Sequence, residues 1–160
     1  MSTTRCGIGY DIHPFAEDRQ LILGGIEIPH ERGLKGHSDA DVLAHAIADA
    51  LLGAIGARDI GHHFPDTDEA NRGISSMDIL RRVAGLLSRR KTRVVNVDAT
   101  IIAEVPKIAP HVAAMRQKMS AAIDATESSI SIKATTNERL GALGRGEGIA
   151  AIAVTTVEVE

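Results

Sequence analysis

Asp11 and His13 stand two positions apart in the stretch G-Y-D-I-H-P-F, close to the amino terminus and among apolar neighbours. In an extended segment alternate side chains share a face, so this carboxylate and imidazole project together while Ile12 points the other way, into the core. Farther along, Asp41, His45 and Asp49 recur every fourth residue. On a helix that spacing makes one polar stripe opposite an apolar one. Two imidazoles and a carboxylate, His13, His45 and Asp11, suffice to hold a tetrahedral zinc whose fourth position stays open to a substrate. Spacing alone keeps a second reading open. A D-x-H pair on a strand also forms a plain hydrogen-bonded pair, and a helix histidine flanked by acids also forms a solvated face. Asp49, one turn past His45, either orients that site from behind or lies in water on the helix face. His30 and His111 read as surface residues, and His62 and His63 take no assigned role.

A second group of chemically able residues lies in K-A-T-T-N-E-R-L-G-A-L-G-R-G-E-G, residues 133–148. It offers hydroxyls at Thr135 and Thr136, a carboxylate at Glu138, a guanidinium at Arg145, and glycines at 141, 144, 146 and 148. Glycines let backbone N–H groups approach an anion, hydroxyls donate to phosphate oxygens, and an acid can hold a magnesium ion that bridges them. The segment reads as a phosphate site or as a flexible turn before the last strand; it matches neither the dinucleotide fingerprint nor the P-loop.

The elements that must position these groups follow from periodicity. Residues 5–15 read as a strand, and L-I-L-G-G-I-E-I-P as a hairpin turning at Gly24-Gly25. Ser38 to Gly53 reads as a helix with Val42, Leu43, Ala46, Ile47, Ala50 and Leu51 on its apolar face, Ser38 as N-cap and acids in the first turn. Residues 61–73 carry turn formers and no apolar period, which predicts an exposed loop. A second helix is expected over Ser75 to Lys91, a long strand over Thr92 to Ala103, and a third helix over Pro106 to Ala125 with proline at its start. Ser129 to Ala134 and Ile149 to Glu160 complete the strands. Alternating strands and helices without a linker predict one domain, residues 1–160, built as an α/β (α+β) sandwich: a mainly four-stranded sheet covered by helices on one face.

Composition bounds the partners. A chain of 160 residues with 44% hydrophobic and 24% charged residues is ordinary for a globular protein. A chain of that size buries enough surface to need no metal for stability, so any metal serves chemistry. A net charge of −3 gives no reason to expect nucleic acid or an anionic membrane, which leaves a small substrate. Cys6 is the only cysteine, the opening residues lack a secretory apolar core, and no window is long and apolar enough to span a membrane; a cytoplasmic location is expected. With no Trp, one Tyr and two Phe, the core must come from Ala, Ile, Val and Leu, which suits close seating of helix on sheet.

Taken in order, D-I-H, H-S-D-A-D-V-L-A-H-A-I-A-D-A, D-I-G-H-H-F-P-D-T-D, and A-T-T-N-E-R-L-G with G-R-G-E-G closely resemble the 2-C-methyl-D-erythritol 2,4-cyclodiphosphate synthase family, over almost the whole chain. The resemblance implies a homotrimer. It also implies a reaction in which a 2-phosphate attacks the β-phosphorus of a cytidine diphosphate ester of methylerythritol, closes a cyclic diphosphate and expels CMP. It implies Asp11, His13 and His45 as ligands of one zinc-type ion per subunit, and Glu138 as the ligand of magnesium or manganese bound with substrate. His37 and Ser38 match the pair beside the reacting phosphates, where His37 and Thr136 would stabilise the transition state, with Thr135, Asn137 and Arg145 in the adjoining phosphate segment. Asp59, Ile60 and Gly61 together with Phe64, Pro65, Asp66, Thr67 and Asp68 match segments that hold methylerythritol. Ala103, Glu104, Val105, Pro106, Lys107, Ile108 and Ala109 match the cytidine pocket, which in the family belongs to one subunit and the zinc to its neighbour. Asn137, Arg139 and Ala142 depart from the commoner family pattern. A zinc-dependent hydrolase of a small phosphorylated substrate and a non-catalytic trimeric binding module are the alternatives. Glu138 beside two threonines argues against the first, because simple hydrolysis has no need of a separate magnesium–phosphate site.

Overall fold

Gly7 and Gly9 decide how closely a helix can lie on the first strand, β1 (Thr3–Ala16). A Cβ added at Gly7 would come within 1.9 Å of the Ala50 carbonyl oxygen, and one at Gly9 within 1.9 Å of that of Ala46. Both carbonyls belong to α1 (Val42–Ala54), which therefore packs backbone against backbone on the strand. The computed structural model, which describes residues 1–160, thus bears out the close seating that the wealth of small residues predicts. Asp11 and His13 continue the face of Gly7 and Gly9, at the point where side chains must fill the space beside the helix.

The other elements are β2 (Leu21–Leu23), β3 (Ile26–Ile28), β4 (Gly33–Leu34), α2 (Ile60–His63), α3 (Ser76–Arg89), β5 (Thr92–Ile102), α4 (Val112–Ile123), β6 (Ile130–Thr135), α5 (Gly141–Gly144) and β7 (Gly148–Val159). The main sheet runs β4-β1-β7-β5-β6, so the four expected long strands gain a two-residue fifth at one edge. Only β5 and β6 pair in parallel. β2 and β3 form the expected hairpin, turning at Gly24 and Gly25, both with positive φ. One core of 37 buried residues lies between the sheet and α1, α3 and α4. No helix is long and apolar enough to cross a membrane.

Several boundaries and faces differ from the sequence reading. The first helix begins at Val42 and is capped by Asp41, not Ser38. It carries no polar stripe: Asp41 and His45 are buried with the rest, and only Asp49 and Gly53 reach the surface. A helix hydrophobic almost all round is a core helix. Ile12 does not enter the core. It is 44% exposed, on a sheet face that no helix covers, together with Ile8 (71%), Tyr10 (54%), Ile152 and Val154. Residues 61–73 are not simply a loop, since α2 and a 3₁₀ turn at Glu69–Asn71 lie in or across them. The third helix starts at Val112 after a 3₁₀ turn, Ala109–His111, so Pro110 rather than Pro106 sits at the helical entry.

Asp41 is the internal fastening of this arrangement. Its carboxylate accepts from the Gly24 and Ala44 N–H groups at 3.0 Å and from Gly25 N–H at 2.8 Å, tying the hairpin turn to the start of α1. It is fully buried, and burial pushes its carboxyl up to about 6 against the opposing pull of those N–H groups. Asp41→Ala leaves three donors without a partner, two of them buried and one half-buried, a loss on the order of 3 kcal/mol in denaturant unfolding. Because the folded carboxyl holds its proton more tightly than the unfolded one, the proton-linked part of wild-type stability is complete below about pH 4 and fades as pH rises through 6. The gap between wild type and variant should therefore narrow from pH 4 to pH 7; a constant gap contradicts this role.

Candidate active site

Asp11, His13 and His45 converge where α1 crosses the end of β1. Asp11 Oδ2 lies 3.1 Å from His13 Nε2 and 2.9 Å from His45 Nδ1. One ligand atom from each residue lies within 4.8 Å of the other two. The remaining ring nitrogens are already engaged. His13 Nδ1 is 2.7 Å from the Lys35 carbonyl, which can only accept, so Nδ1 carries a hydrogen and Nε2 is the nitrogen turned towards Asp11. His45 Nε2 contacts the hydroxyls of Ser76 at 2.9 Å and Ser38 at 3.1 Å.

The electrostatics match this geometry. Burial raises the Asp11 carboxyl, but hydrogen bonds and charge from His13 and His45 outweigh it and hold that group far below the usual carboxylate range. Burial likewise opposes charge on His45, and Asp11 overrides it, raising the imidazole. Two imidazoles and an anionic oxygen turned on one point, with their outer nitrogens fixed, form a donor set that fits a divalent transition ion with room for a substrate ligand.

The triad opens into a cavity of about 240 Å³, which also takes in His37, Ser38, Ile60, Gly61, Phe64 and Asp66. Asn71, Ile74 and Ile79 complete the wall, and neither motif nor spacing marks them. Asp59, Pro65, Thr67 and Asp68 are not part of that wall. The Asp59 carboxylate caps α2 by accepting from His62 N–H at 2.8 Å, and that of Asp68 accepts from Ala70 N–H at 3.0 Å. In a larger cleft near Lys91, Arg93 and Glu158, of about 290 Å³, Arg93 pairs with Glu158 at 2.7 Å. The cleft gathers no ligand set.

The second group of predicted residues forms a separate patch at the carboxyl ends of the parallel pair β5 and β6. Ala103 N–H donates to the Thr135 carbonyl at 2.9 Å, and Glu104 Oε1 accepts from Asn137 N–H at 3.0 Å and Arg139 N–H at 3.2 Å. The Ala103–Ala109 and Thr135–Glu138 segments are thereby stitched together. Thr135, Thr136, Asn137 and Glu138 are exposed, and Arg145 pairs with Glu147. None of these residues shares the cavity of the metal triad within one chain.

A helix-backed sheet carrying a two-histidine, one-carboxylate centre at the mouth of a small polar cavity defines a compact metal-dependent enzyme of the α/β class. The YgbB family model matches residues 4–158, and the chain belongs to that family. It is 59% identical over 158 residues to the 2-C-methyl-D-erythritol 2,4-cyclodiphosphate synthase of Thiobacillus denitrificans, covering 99% of each chain. Its fold superposes on the bifunctional IspDF of Campylobacter jejuni with a TM-score of 0.95 at 38% identity, spanning 100% of this chain and 43% of that one. It also matches IspF of Plasmodium falciparum, solved as a CDP complex, with a TM-score of 0.86 at 34% identity over 98% of this chain and 97% of that one.

Asp49 reaches none of Asp11, His13 and His45 through a hydrogen bond. Its Oδ1 accepts from Ile60 N–H at 2.8 Å and so fastens α2, which lines the cavity, to the helix that carries His45. Asp49→Ala should speed hydrogen exchange at the Ile60 amide at least about tenfold while metal uptake stays at the wild-type level, and Asp49→Asn should restore protection. Loss of metal from Asp49→Ala would instead place this residue at the metal centre.

Proposed function

We propose that this chain is a metal-dependent phosphorus–oxygen lyase that cyclises 4-diphosphocytidyl-2-C-methyl-D-erythritol 2-phosphate to 2-C-methyl-D-erythritol 2,4-cyclodiphosphate, a step of the non-mevalonate route to isoprenoid precursors. The observation that carries this reading is the convergence of Asp11, His13 and His45 on a cavity, in a chain 59% identical to a synthase of that reaction along nearly its full length. The CDP bound to the Plasmodium falciparum relative supports a cytidine nucleotide as the departing half.

An oxygen of the 2-phosphate attacks the β-phosphorus, the bond from that phosphorus to the oxygen bridging it to the α-phosphate breaks, and CMP leaves with the bridging oxygen. A phosphate nucleophile is already ionised near neutral pH, so the protein needs no general base. Its work is positioning and neutralisation. Asp11, His13 and His45 would hold one ion of zinc type, and Glu138 a magnesium or manganese ion that comes with the substrate; such ions would supply positive charge to the phosphoryl oxygens and to the departing CMP. His37 and Ser38, beside the triad in the cavity, donate to the reacting phosphates, and the Thr136 hydroxyl meets them from the opposite side with Thr135. Ile60, Gly61, Phe64 and Asp66 hold the methylerythritol end, with Asp59, Pro65, Thr67 and Asp68 shaping the loop behind them. The Ala103–Ala109 backbone reads the cytosine while Lys107, Asn137 and Arg145 face the phosphates.

This division of labour requires a neighbour. The two patches do not share a cavity within one chain, and the uncovered sheet face bears Ile8, Tyr10, Ile12, Ile152 and Val154, an apolar surface of the kind that subunit contact buries. A homotrimer closes that face and brings the Thr136 and Glu138 patch of one protomer to the metal cavity of the next. The same patch counts against a plain zinc-dependent hydrolase, which would make no use of it.

Phosphorus NMR of the protein with the cytidylyl substrate and a divalent metal separates these readings. CMP and the cyclic diphosphate should appear in equal amounts, and light scattering should give the mass of three chains. A linear bisphosphate beside CMP would assign hydrolysis, and an unchanged spectrum would deny catalysis.

A further inference from the structure

Ser76, the first residue of α3, is fully buried, and its amide and hydroxyl bridge Asp39 and the back of the His45 ring. Its N–H donates to Asp39 Oδ2 at 2.8 Å, its hydroxyl donates to Asp39 Oδ1, and its oxygen lies 2.9 Å from His45 Nε2. The order of donors is forced. A carboxylate oxygen accepts, a serine hydroxyl has one hydrogen, and that hydrogen goes to Asp39. The lone pair of Ser76 Oγ therefore faces His45, and His45 Nε2 must carry the hydrogen that fills the contact. The Ser38 hydroxyl, 3.1 Å from the same nitrogen, shares it.

The consequence falls on the other side of the ring. With a hydrogen held on Nε2, Nδ1 is the nitrogen turned to Asp11 Oδ2 at 2.9 Å, and a proton in that contact is the one a divalent ion would displace on binding. We propose that Asp39 and Ser76 are positioning residues for the metal centre, a carboxylate–hydroxyl relay that fixes the tautomer and ring plane of His45 so that Nδ1 is presented to the ion. Neither lines the cavity. Outer partners of this kind, which hold a ligating histidine by its second nitrogen, change metal affinity by roughly 10- to 100-fold when removed. The relay also explains the placing of α3: its first turn sits against α1 with its buried serine aimed at the one ring that needs a fixed face.

The inference rests on Asp11, His13 and His45 being the metal ligands, and zinc titration against a chromophoric chelator tests both levels without any assay of turnover. Ser76→Ala, a change that removes one oxygen and suits a helix, should weaken zinc affinity at least about tenfold relative to wild type. Nitrogen-15 NMR of the zinc-loaded wild type should show a slowly exchanging proton on His45 Nε2, and in Ser76→Ala that proton should exchange fast. Equal zinc affinity in the two proteins, or an Nε2 without a proton in the wild type, overturns the relay while leaving the ligand set intact. A wild-type protein that takes up no zinc overturns the ligand set itself.

Discussion

The backbone contact between α1 and β1 governs what this protein can do. Ala46 and Ala50 of the helix lie so close to the strand that Gly7 and Gly9 have no space for a Cβ. An ordinary helix-on-sheet spacing, with side chains interleaved, would hold His45 farther from Asp11 than an ion can bridge. The glycines thus set the distance, and the two residues that follow them on the same face, Asp11 and His13, are the first that can use it. Asp41 fixes the helix along its own axis by gripping the hairpin turn, which sets the height of His45 one turn later.

In the proposed assembly, each chain would supply half of an active site. The metal triad, His37, Ser38 and the α2 wall lie on one side, and the Thr136 and Glu138 patch, joined to the Ala103–Ala109 segment through Glu104, lies at the ends of β5 and β6. The apolar sheet face would give the proposed assembly a physical reason, and the separation of the two patches would give it a catalytic purpose. Phosphoryl chemistry tolerates this design, because its main demand is that several fixed charges meet on one set of oxygens.

Much of this was legible in the chain. The period of two that put Asp11 and His13 on one face, and the period of 3.6 that made Val42 to Leu51 a helix, were enough to suggest the triad. What escaped had local signals that pointed elsewhere. H-S-D-A-D offers three cap-forming side chains within four residues, and only the fold shows that Asp39 is taken by Ser76 and Ser38 by His45, leaving Asp41 as the cap. Ile12 belongs to a sheet with an uncovered apolar face, and β-branched residues look the same in sequence whether a helix or another subunit covers them. Ser76 had no signal at all: a serine at the start of a predicted helix reads as a cap, yet its partners stand 31 and 37 residues away.

The most direct test of the metal centre is anomalous diffraction on either side of the zinc absorption edge from crystals grown with zinc. A dominant peak among Asp11 Oδ2, His13 Nε2 and His45 Nδ1, present above the edge and lost below it, is the expected result. A peak elsewhere with none at that position, for example on the neighbouring pair His62 and His63, would contradict it.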